Sequence, residues 1–128
     1  MKEEILNNRL HNSTNPNQGP YKRILCVCSA GLLRSPTMAF VLSQMGHNSR
    51  AAGSSPGFAL IPVDDVLIHW ADQIVYVNKE NYEEVTKRFD VSACDNIVLD
   101  IPDQYQYRDP SLMRICEDQY KNATGYIL

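Results

Sequence analysis

Four times over, the chain passes from a short apolar run to a stretch with helical spacing, and few folds accept that order. The runs are "YKRILCV", "NSRAAGS", "DQIVYVN" and "DNIVLDIP", the last stopped by Pro102. The helical stretches are "PTMAFVLSQM", "PVDDVLIHWA", "KENYEEVTKRF" and "DPSLMRICEDQY". The first of them puts Met38, Val41, Leu42 and Met45 on one face and stops at Gly46. In the second, Asp64 and Asp65 fall in the first turn, where the macrodipole favours carboxylates, and His69 and Trp70 have the spacing of packing residues. Strands separated by helices pair in parallel through right-handed crossovers, with helices over both sheet faces. The sequence therefore predicts an α/β fold: a three-layer sandwich on a four-stranded parallel sheet, with a ligand loop after the first strand.

Residues 1–20 stand apart. Their "HNSTNPNQGP" is loop chemistry, and Ile5, Leu6 and Leu10 pattern at most a short helix ahead of it. They read as a polar extension of a single domain over 21–128. A chain of 128 residues can bury a core without staples, and 44% hydrophobic with 21% charged residues is ordinary for a soluble domain. The net charge of −3 gives no reason to expect nucleic acid or an anionic membrane as partner. "MKEEILNNRL" lacks a signal-peptide run and no stretch approaches a membrane span, so a cytoplasmic location is expected. Cys26, Cys28, Cys94 and Cys116 are then free thiols of a reducing compartment.

The informative stretch is "ILCVCSAGLLRSPTMAF". Ligands of open parallel sheets bind beyond the carboxyl ends of the strands, and Cys28 closes the first run there. The small and apolar loop Ser29, Ala30, Gly31, Leu32, Leu33 leads into a helix marked by Ser35 as N-cap and Pro36 at the first helical position. Such a loop converges its backbone N–H groups on one spot and makes an anion cradle. No Gly-Lys-Ser/Thr follows, so it is not the nucleotide type of phosphate loop. Thiols at a helix N-terminus beside an arginine are favoured as reactive thiolates, and the planar fork of Arg34 can grip two phosphate oxygens. Nucleophile, donors and arginine around one tetrahedral anion suit phosphoryl transfer to sulfur. Cys26, two residues earlier, is read as core or as a resolving thiol.

"VCSAGLLRSPT" resembles the C-x5-R-S-P loop of the low-molecular-weight protein tyrosine phosphatases. "AAGSS", "WADQIVYVNKENYEEV" and "DIPDQYQY" are similar, in the right order, to that family's second strand, third strand with its helix, and late acid loop. The resemblance implies Cys28 as nucleophile, Arg34 as phosphate clamp, Ser35 as the hydroxyl that stabilises the thiolate, and Asp103 as general acid and base. It implies Tyr105 as an aromatic wall beside the substrate ring, with no metal and no cofactor. Asp109 is the competing acid because it precedes a proline, although "RDPSL" looks more like a helix start. The chain departs from the family pattern at Gly31, Leu33 and Gln104, where asparagine, cysteine and proline are usual. The expected function is hydrolysis of a phosphorylated protein or small aryl phosphate through phosphocysteine. Two alternatives stay open: thiol-dependent arsenate reduction, for which Cys94 and Cys116 would have to relay oxidation, and phosphate or phosphopeptide binding without catalysis.

Overall fold

A computed structural model describes residues 22–29, 34–55, 59, 61–102 and 106–125. The strands are β1 (Arg23–Cys28), β2 (Asn48–Gly53), β3 (Gln73–Tyr76) and β4 (Asp95–Val98). The helices are α1 (Arg34–Gln44), α2 (Asp65–Trp70), α3 (Lys79–Thr86) and α4 (Pro110–Thr124). All pairings are parallel, and the strand order is β2-β1-β3-β4. The predicted alternation and sheet are those of the protein.

Side chains of successive strand residues point to opposite faces, so β1 feeds two cores at once. Ile24, Cys26 and Cys28 face Met38, Val41 and Leu42 of α1 and Leu112, Cys116 and Tyr120 of α4. Leu25 and Val27 face Ile68 and Trp70 of α2 and Val85 of α3. Helices on both faces make three layers. Trp70 packs as expected, whereas His69 is exposed.

Local chemistry sets the element ends. Asp64 caps α2 by accepting from Leu67 N, Asn78 caps α3 by accepting from Asn81 N, and Asp109 caps α4 by accepting from Ser111 N. Gly46 leaves α1 at φ 96° and Gly125 ends α4 at φ 68°, conformations that glycine adopts without a Cβ penalty. The start of α1 differs from expectation. Ser35 lies inside the helix, which already includes Arg34, and its hydroxyl is turned to β1 and β2 instead of capping.

The chain leaves β1 for β2 on one side and returns for β3 on the other. The carboxyl ends of β1 and β3 therefore flank the point where strand order reverses, the usual place for a ligand crevice. Cys28 stands at that point.

Candidate active site

Cys28 is the last residue of β1 and is 4% exposed. Its Sγ lies 3.1 Å from Ser35 Oγ, with the thiol donating, and Ser35 Oγ in turn donates to Ala52 O at 3.3 Å. Ser35 is fully buried, so its hydroxyl is committed to this sulfur and this strand. Arg34 is also buried, and its Nη1 donates to Ile101 O at 3.1 Å. That bond ties the start of α1 to the segment after β4.

The structure thus brings Cys28 and Ser35 into contact and sets Arg34 directly before Ser35, bonded to Ile101. Ser29, half-buried, follows Cys28 directly. Ala30, Gly31, Leu32 and Leu33 of the expected cradle lie outside the described residues, as do Asp103 and Tyr105. Asp109 is placed: its carboxylate accepts from Ser111 N at 2.8 Å as the cap of α4. Just before it, Arg108 holds φ 59°, a strained value for a residue with a Cβ. Two contacts on α1 offset the strain: Arg108 N donates to Thr37 Oγ1 at 2.9 Å, and its guanidinium lies 3.7 Å over the Phe40 ring.

The other thiols are packing residues. Cys26 is fully buried, and its thiol is pushed well up, first by burial and then by Cys116 and Cys28. Burial pushes Cys116 up to about 12. Cys94 packs with the opposite core from Cys116, across the sheet.

Three residues here were not singled out from the sequence. Ser54 follows β2, while Asn81 and Glu84 lie on α3, and all three join in hydrogen bonds that reach Ser29 or its neighbours. For Ser54 the available signal was position, directly after the carboxyl end of a parallel strand, whereas Asn81 and Glu84 on α3 carried none.

No protein-family model and no curated protein matches the sequence. Solved structures do match, among them a tyrosine phosphatase and an arginine phosphatase. Wzb of Vibrio vulnificus, in complex with benzylphosphonate, is 16% identical, with 82% of this chain and 96% of that chain covered at a TM-score of 0.61. The YwlE arginine phosphatase of Geobacillus stearothermophilus is 18% identical, with 80% and 87% covered at 0.60. The tyrosine phosphatase Wzb of Escherichia coli K30, in complex with phosphate, is 15% identical, with 80% and 95% covered at 0.62. This protein therefore has the α/β fold of those phosphatases over nearly their whole length.

Proposed function

We propose that this protein is a cysteine-dependent phosphatase of the low-molecular-weight tyrosine phosphatase family, which hydrolyses phosphotyrosine or a related aryl phosphate. The carrying observation is the 3.1 Å contact of Cys28 Sγ with the buried Ser35 hydroxyl, at the carboxyl edge of the sheet and beside buried Arg34.

The Cys28 thiolate attacks phosphorus, an S–P bond forms, and the bond to the aryl oxygen breaks. Asp103 gives its proton to the leaving phenolate. Asp103 then takes a proton from water, which attacks phosphorus, and the S–P bond breaks to release inorganic phosphate. Ser35 turns its hydroxyl from Ala52 O to donate to the departing thiolate. Arg34 and the N–H groups of Ser29, Ala30, Gly31, Leu32 and Leu33 bind the phosphoryl oxygens, and Tyr105 walls the ring. No step calls for a metal or cofactor.

What supports Asp103 over Asp109 is that Asp109 is occupied as a helix cap, while Arg34 bonds Ile101, two residues before Asp103. The aryl class is supported by the benzylphosphonate bound in one structural neighbour. A reducing compartment, the cytoplasm, agrees with four free cysteines; among the described residues no helix is long and apolar enough to cross a membrane. The domain is taken as 21–128, with 1–20 an extension. Against arsenate reduction stands the sheet between Cys94 and Cys116.

Hydrolysis of a chromogenic aryl phosphate in chelator tests the reading. Turnover by the wild type and its loss in Cys28→Ser are expected. Turnover that survives Cys28→Ser overturns the mechanism, and phosphate binding without turnover makes the protein a binding module.

A further inference from the structure

Beyond their last paired residues, β1 and β2 stay joined. Ser54 N donates to Cys28 O at 2.8 Å, and Ser55 N donates to Ser29 O at 3.0 Å. Helix α3 clamps this seam with two side chains on one face, at i and i+3. Asn81 is fully buried and donates from Nδ2 to Ser29 Oγ at 3.1 Å and to Ser54 Oγ at 3.0 Å. Glu84 accepts from Ser54 Oγ at 2.7 Å and from Ser55 Oγ at 3.3 Å.

The direction of every proton follows. An ionised carboxylate only accepts, so the Ser54 hydrogen goes to Glu84 and Ser54 Oγ must accept from Asn81. That fixes which end of the Asn81 amide is nitrogen, and nitrogen then faces Ser29 as well. Ser29 Oγ is an acceptor in this chain, and no described residue accepts its own hydrogen. The buried Asn81 Oδ1 has no partner among the described residues, so the amide is placed for its donors at the expense of its acceptor.

We propose that Asn81, anchored through Ser54 and Glu84, is a positioning residue for the cradle: it holds Ser29 with its hydroxyl hydrogen directed to the phosphoryl oxygens beside Cys28. The proposal rests on the phosphatase reading of the site and adds a side-chain donor to it, set from a helix on the far face of the sheet.

The test is a set of variants read by inorganic phosphate affinity in calorimetry, by kcat and KM on an aryl phosphate, and by thermal midpoint. Asn81→Ala and Ser29→Ala should each weaken phosphate binding by roughly tenfold, the worth of one hydrogen bond to a charged group. The double variant should be no worse than either single one, because both remove the same donor. Asn81→Asp is the sharper probe. A carboxylate at this position accepts the Ser29 hydrogen but gives none to Ser54, whose own hydrogen is held by Glu84, so phosphate binding by the folded protein should fall alongside a lower midpoint. A purely structural Asn81 would lower the midpoint and leave the phosphate affinity of folded protein unchanged, which overturns the proposal. Strictly additive losses in the double variant also overturn it. Should Asn81→Ala fail to fold, Ser29→Ala and Asn81→Asp decide. If the wild type binds phosphate without hydrolysing the ester, only the phosphatase reading fails and the affinity comparison still decides. If it binds no phosphate, both fail.

Discussion

At the scale of single residues, the site turns on a hydroxyl that faces a sulfur. Ser35 has two partners within reach, Cys28 Sγ and Ala52 O, and in the proposed mechanism only the sulfur changes charge. Ser35→Ala should lower kcat by about 10- to 100-fold, as expected for one lost hydrogen bond to a charged group, with phosphocysteine breakdown the slowed step. A burst of phenolate followed by slow turnover would show it in stopped flow, and an unchanged kcat would exclude the role. Cys28 and Arg34 were legible because their types are chemical and their spacing spans a strand-to-helix turn. The Ser35 contact with the sulfur was legible only through the family resemblance, and its own spacing pointed elsewhere. Its caplike sequence context suggested the helix end, whereas α1 begins earlier and frees the hydroxyl for the sulfur. Asn81 was not legible at all, since an asparagine in a polar helix declares nothing until the fold sets it against Ser29.

At the scale of elements, helix caps and acids compete for the same aspartates. Asp109 caps α4, so Asp109→Ala should cost about 1 kcal/mol of stability in urea denaturation and leave the aryl phosphatase kcat within about twofold. Asp103→Ala should do the reverse, lowering kcat by about 10²- to 10⁴-fold at unchanged stability. The opposite pattern would exchange the two roles. The four strands and four helices were readable because their apolar periods are distinct. The clamp of Arg108 on Thr37 and Phe40 was not, because it joins residues far apart in sequence through a backbone conformation that no local motif requires.

At the scale of the whole molecule, one strand holds two cores together, and the thiols on one side of it tie stability to pH. Cys116, between α4 and the sheet, is pushed up to about 12 from an ordinary 9.0, and Cys26 is raised well above 9.0. A folded pKa above the unfolded one means that the native state holds its proton more tightly. The associated stability is complete below about pH 9 and is lost as pH climbs toward about 12. Unfolding free energy from urea titrations should therefore fall on that alkaline limb, and Cys116→Ala should flatten it while lowering neutral stability through the cavity it leaves. A limb equally steep in that variant would assign the loss to other groups. The layered architecture was legible because alternation alone demands it. Which thiols share a core was not, since Cys94 and Cys116 are divided by a sheet whose strand order only the structure supplies.

The most direct measurement is to quench the protein in acid during incubation with an aryl phosphate and map any phosphoryl group by peptide mass spectrometry. Phosphocysteine chemistry predicts the label on the Cys28 peptide, enriched in Asp103→Ala only if water attack slows more than transfer to sulfur, and absent in Cys28→Ser. Turnover with no labelled peptide, or with the label on another residue, would contradict it.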